Sequence, residues 1–136
     1  MNRKKARENA FLLLFEREIK SEETSEEIYL KAIEERGLEV DDYVRAVFFG
    51  SSENSKVISE YIEKSLVGWN SVRVSFVSRA ILTLAVYEML FIDDIPHKVS
   101  INEAVELAKK YDDDKAYSFV NGVLHSVSLS VVENDA

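Results

Sequence analysis

The chain has only four glycines, Gly37, Gly50, Gly68 and Gly122, and one proline, Pro96, in 136 residues. Strand-rich folds need turn-forming residues at every reversal, so this supply restricts the chain to long elements with few breaks. Helix fits that restriction, and the apolar periodicity agrees. Ile101, Ala104, Val105, Ala108 and Tyr111 recur at the spacing of one helix face, as do Val120, Val123, Leu124, Val127 and Val131. Both stripes need a core to cover.

Several helix starts can be read directly. Thr24 with Glu27, and Ser100 with Glu103, have the spacing in which a hydroxyl and a carboxylate satisfy free backbone N–H groups. Asp41 or Asp42 can cap the segment carrying Tyr43, Val44, Val47 and Phe48. Gly50 and "SSENS" are expected to bend or interrupt it before Ile58, Tyr61, Ile62 and Leu66 resume the stripe. After Gly68, with Trp69 and Asn70 in an inter-helix turn, Ser71 is expected to start a near-continuously apolar helix ending before Pro96. One of Asp112 to Asp114 starts the last. The expectation is an all-α, compact single-domain bundle of about six or seven helices over residues 1–136, without repeat or linker.

Composition narrows the chemistry. With no cysteine, disulfides, cysteine-based zinc sites and thiol redox chemistry are all excluded. The longest mostly apolar stretch, "AILTLAVYEMLFI" from Ala80 to Ile92, is shorter than the roughly 18 to 20 residues of a membrane span and contains Glu88. "FLLLF" is too short for a secretory apolar region and is followed by Glu16, Arg17 and Glu18, so a cytoplasmic location is expected. His97 and His125 stand in no metal-ligand spacing. "GSSENSK" has Ser55 where a phosphate loop needs its second glycine and Val57 where it needs Ser or Thr, and Glu53 would repel phosphate. No nucleophile elbow or dinucleotide fingerprint is present. Neither an enzyme activity nor a cofactor nor a metal is expected.

The charge distribution is uneven. Arg3, Lys4, Lys5 and Arg7 stand together with no acid before Glu8; removing these four from the 17 cations leaves 13 against 25 acids, a net of −12 for the rest. Read as a helix capped by Asn2, the first segment puts Lys4 and Lys5 at the positive pole of its own dipole, where each is unfavourable by about 0.3–1 kcal/mol at low salt. The other readable starts carry acids there. A broken local rule of this kind points to a functional site, and cations beside free N–H groups make an anion site suited to phosphate. At 100° per residue Arg3, Lys4 and Arg7 share about a third of the circumference, with Lys5 pointing elsewhere. The other reading is a frayed, charged terminus that aids solubility. Glu88, in an apolar helix, is either paired, for instance with Arg79, or at a surface where it meets a basic partner.

Together, "NRKKAREN", "SRAILTLAVYEML", "DDIPHKVSINEAVELAKKY" and "YSFVNGVL" resemble the NusB transcription antitermination family across nearly the whole chain, most specifically in the ordered pair "INEAVELAKKY" and "FVNGVL". The resemblance implies a non-catalytic, all-helical protein that joins the ribosomal protein NusE on single-stranded boxA RNA of ribosomal RNA leaders and then loads onto the RNA polymerase elongation complex. It implies RNA contact at Arg3, Lys4, Lys5 and Arg7 and at Lys115 and Phe119, and NusE contact on the helix bearing Tyr87 and Glu88. Phe119 can stack on an unpaired base or sit in the core beside Val120. Three departures from the family pattern stand out. Phe15 replaces a usual tyrosine, Asp112 replaces a glycine and tolerates a left-handed turn at a cost glycine avoids, and Lys115 with Ala116 replace an acid and a serine. Gly122 is expected to admit a neighbouring backbone, with Asn121 bonding across. An alternative is a non-catalytic relative of the helical domain that precedes ribosomal RNA cytosine methyltransferases; monomer and homodimer both remain open.

Overall fold

A computed structural model describes residues 1–69 and 72–135 and contains seven helices: α1 (Arg3–Ile19), α2 (Ser25–Arg36), α3 (Asp42–Glu53), α4 (Ser55–Ser65), α5 (Phe76–Phe91), α6 (His97–Tyr111) and α7 (Ala116–Asp135). α5 is the hub. Ala80, Ile81, Leu82, Leu84, Ala85 and Val86 are all fully buried, as expected of a helix that is apolar on every side. α1 and α3 pack on it, with α2 against both; α4, α6 and α7 also pack on it, with α7 meeting α4 and α6. Phe11, Leu13 and Leu14 of α1, Val44, Val47 and Phe48 of α3, and the whole Val120 to Val131 stripe of α7 complete one core.

The caps follow short side chains. Asn2 Oδ1 accepts from the Lys5 N–H at 2.8 Å and Asp41 Oδ1 from the Val44 N–H at 3.0 Å. The Thr24 Oγ1 accepts from the Glu27 N–H at 3.1 Å, and the hydroxyl donates to the Glu27 carboxylate. α2 ends on Gly37 at φ 64°, where the Gly37 and Leu38 N–H groups return to the Ile33 and Ala32 carbonyls. Asp113 Oδ1 accepts from the Lys115 and Ala116 N–H groups, both at 3.0 Å, and so starts α7.

Two expected helix starts move. Ser100 caps nothing: α6 begins three residues earlier, after Pro96, and the buried Ser100 hydroxyl donates to Glu88 instead. α5 starts after Ser75, whose Oγ accepts from the Ser78 N–H at 3.0 Å; Asn70 and Ser71 lie outside the described residues. The interruption expected in "SSENS" is present, since α3 runs through Gly50 and breaks from α4 at Asn54. Gly50 is a packing residue, since a Cβ there would lie 2.6 Å from the Tyr87 hydroxyl oxygen. Gly122 likewise admits no backbone: a Cβ would meet the Trp69 indole at 2.7 Å, and Asn121 is exposed. Asp112 is extended at φ −116°, not left-handed, because its carboxylate turns to accept from the Ser75 and Ser78 hydroxyls at 2.7 Å each.

Candidate nucleic-acid interface

The basic end forms the first turn of α1, and that turn holds no acid. Lys4 and Lys5 have side chains 75% and 58% exposed, each within reach of one carboxylate: Lys4 Nζ is 3.7 Å from Glu103 on α6 and Lys5 Nζ 3.3 Å from Glu8. The exposed Arg3 lays its guanidinium over the Tyr43 ring at 4.5 Å, a cation–π contact that leaves the fork edge in solvent. Exposed pairs of this kind contribute little and exchange readily with other anions.

Arg7 is different. It is 4% exposed and points inward, where its Nε donates to Glu88 Oε2 at 2.7 Å and its Nη2 to Oε1 at 3.3 Å. The Glu88 carboxylate, fully buried on α5, also accepts from the Tyr43 hydroxyl and, at 2.7 Å, from Ser100 Oγ. This corrects two expectations. Arg7 does not stand on an exposed face with Arg3 and Lys4, because a guanidinium committed to a buried carboxylate cannot reach a phosphate without leaving that carboxylate unpaired. Glu88 has no surface to offer a partner, and its cation is Arg7 rather than Arg79, which lies 3.9 Å from Glu63. Burial works against both the Arg7 charge and the ionised Tyr43 phenol. At Arg7 the Glu88 bond and charge more than compensate and raise its pKa; at Tyr43 burial and the Glu88 charge together push the phenol far up.

Lys110, at the end of α6, was not singled out by the sequence. Its Nζ reaches Glu8 Oε2 at 2.5 Å, and the Tyr111 hydroxyl donates to the same oxygen at 2.9 Å. With the Lys110 bond foremost, Glu8 is held down at about 2. Lys4, Lys5, Arg7 and Lys110 line a cleft of ≈ 410 Å³ between α1 and α6 together with Glu8, Glu103 and Glu106. The only sequence signal for Lys110 was a basic pair in a last turn, which the helix dipole already explains.

Lys115 and Phe119 border a second cleft, of ≈ 570 Å³, whose rim also holds Trp69, Arg73, Ser75, Ser78 and Asp112. Lys110 lines the first cleft and Asp112 the second, so the end of α6 separates the two. Lys115 is exposed; Phe119 is 4% exposed and packs edge-on against Trp69 at 5.3 Å. That resolves the choice left open for Phe119 in favour of a core position, since stacking needs a free face. The exposed ring of this turn is Tyr117, with Lys109 Nζ 5.3 Å above it. Tyr87 is nearly buried over Gly50 and 5.0 Å from the half-exposed Phe91 ring. Phe15 packs 6.1 Å from Phe11. Among the described residues no group of His, Cys, Asp and Glu is arranged to hold a metal ion, and no helix is long and apolar enough to cross a membrane.

Residues 4–129 match the NusB family. The transcription antitermination protein NusB of Clostridium perfringens (strain SM101) is 44% identical over 135 residues, covering 96% of this chain and 99% of its own. Among solved structures, T. maritima NusB superposes with a TM-score of 0.82 at 33% identity, covering 98% of both chains. A crystal structure of the antitermination factors NusB and NusE in complex with double-stranded RNA contains a chain that superposes at 0.80 with 30% identity, covering 94% of this chain and 96% of that one.

Proposed function

This chain belongs to the NusB family, and from that premise we propose that it is a transcription antitermination factor that binds boxA-type RNA together with NusE. The complex joins RNA polymerase on ribosomal RNA operons in the cytoplasm, and the chain catalyses no reaction. The observation that carries the RNA reading is the first turn of α1. Arg3, Lys4 and Lys5 stand exposed at a helix pole whose dipole already attracts anions, with no acid in that turn. Lys110 extends the row along the cleft, and Lys115 supplies a further cation beyond it. The body, with its excess of acids, repels a polyanion elsewhere, which favours a short oriented contact and a basic partner such as a ribosomal protein. On α5, NusE would meet the C-terminal end, where the half-exposed Phe91 lies against the nearly buried Tyr87.

The test is a titration of boxA RNA, single-stranded and as its duplex, with and without NusE. Binding is expected to be tighter with NusE present, and tighter for the single strand. Replacement of Arg3, Lys4 and Lys5 together by alanine is expected to abolish most of it. Equal retention of RNA by the triple variant, folded and with NusE present, would overturn the reading.

A further inference from the structure

The Glu88 carboxylate is fully buried and yet accepts from three other helices, through Arg7 of α1, Tyr43 of α3 and Ser100 of α6. Such a cluster is a poor source of stability, because desolvating two charges offsets most of their attraction and an apolar replacement does as well. What distinguishes this one is where its donors lead. The Tyr43 ring whose hydroxyl binds Glu88 carries Arg3 on its face at 4.5 Å. Arg7 Nη1 lies 3.9 Å from Glu103 Oε1, and the other oxygen of Glu103 is 3.7 Å from Lys4 Nζ. Arg7 is thus tied directly to a single buried carboxylate, Arg3 through Tyr43, and Lys4 through Glu103 and Arg7 in turn.

The first turn of α1 needs such an anchor. It is a terminal turn, which frays by default, and its lysines repel the dipole they sit on. Phosphate can meet the row only while the turn is formed, so the apparent affinity is reduced by whatever fraction of the time it is not. We propose that Glu88, acting through Arg7, Tyr43 and Glu103, is a positioning residue that fixes the first turn of α1 in the orientation in which Arg3, Lys4 and Lys5 meet RNA. The inference rests on the RNA-binding reading above.

Simple Coulomb attraction and positioning give opposite signs for one substitution. Glu88→Gln removes a negative charge behind the basic end and releases Arg7, so attraction alone strengthens RNA binding; loss of the anchor weakens it. The experiment titrates boxA RNA with NusE present, at several salt concentrations, for the parent chain, Glu88→Gln, Tyr43→Phe, a Lys4→Ala/Lys5→Ala variant and Val131→Ala. Thermal unfolding and amide exchange of residues 4–7 are measured on each. Val131, buried late in α7, reports what a cavity outside the cluster does to binding.

Glu88→Gln is expected to bind about fivefold or more weakly, as it would if the turn were formed about a fifth of the time, with the slope against salt retained because the bound contacts are the same, and with faster exchange in the first turn. Val131→Ala, at a comparable loss of melting temperature, is expected to bind like the parent. Unchanged or tighter RNA binding by folded Glu88→Gln overturns the proposal, as does an equal loss of binding in Val131→Ala. Should Glu88→Gln not fold, Tyr43→Phe decides: it deletes one hydroxyl and keeps the ring beneath Arg3, and unaltered affinity and exchange there overturn the proposal as well. A parent chain that holds no RNA, or a Lys4→Ala/Lys5→Ala variant that binds normally, removes the RNA reading and this inference with it, an outcome distinct from insensitivity to Glu88 alone.

Discussion

Arg3, Lys4 and Lys5 keep their charged ends in solvent while Arg7 turns inward, and this difference sets how steeply binding depends on salt. Each phosphate neutralised on a single strand contributes about 0.7 to the slope of log affinity against log salt. Four contacts imply a slope of about 3; the three exposed cations imply about 2. The slope lost between the parent and the Arg3→Ala/Lys4→Ala/Lys5→Ala variant in a salt series isolates the share of the exposed cations from that of Lys110 and Lys115, and each alanine at Lys4 or Lys5 is expected to lower the slope by about 0.7. Glu8 gives a second residue-scale prediction. Its carboxyl is held at about 2 against an ordinary 4.5, chiefly by the Lys110 bond. A depressed acid stabilises the fold above its unfolded pKa and loses that contribution as pH falls through the folded one. Acid titration of stability is therefore expected to include a component between about pH 4.5 and pH 2 that disappears in Glu8→Gln. Followed by circular dichroism, an unchanged acid profile in that variant would count against the Glu8–Lys110 contact.

Helix α7 shows how an element can carry a residue that its own propensity disfavours. Glycine inside a helix is less favourable than alanine by about 0.5–1 kcal/mol, so Gly122→Ala would stabilise an isolated α7. In the fold the added Cβ would lie 2.7 Å from the Trp69 indole. Overpacking of that kind typically destabilises by about 1–3 kcal/mol, so the net sign is expected to be a loss of stability, measured by urea unfolding. Gly50 under Tyr87 is the same case on α3. At the other end of the scale, Asn2→Ala removes the cap of α1 and is expected to destabilise by about 1 kcal/mol, with faster amide exchange at Lys5. These two glycines were legible as exceptions to the helical pattern, but the aromatic side chain that requires each comes from a segment distant in sequence. The same holds for Ser100, whose spacing from Glu103 mimics a cap while its hydroxyl serves Glu88.

On the scale of the whole molecule the chain separates its charges: a basic turn at one end of α1 and a body with an excess of acids, among them Glu26, Glu34 and Glu35 on the outer side of α2. None of those acids lines the α1–α6 cleft, so they are expected to act on RNA there through the field. Neutralising all three to glutamine is expected to strengthen RNA binding at low salt, where the screening length is about 30 Å, and to have no effect at 1 M salt, where it is about 3 Å. Mobility-shift titrations at the two salt concentrations check this. An effect that survives at high salt would mean that α2 touches the ligand.

The sequence alone determined the all-helical class, most of the helix starts and the anomalous basic end. Each of these depends on interactions within a few residues: apolar period, side-chain caps, charge against the local dipole. The tertiary structure decided which of the four cations can meet a phosphate. Arg7 follows the same local pattern as its neighbours and differs only in facing Glu88, 81 positions further along the chain. It likewise decided that Phe119 belongs to the core and that Lys110 joins the cleft, because a side chain's access to solvent is set by which helices pack around it, and that information is not local to any stretch of sequence.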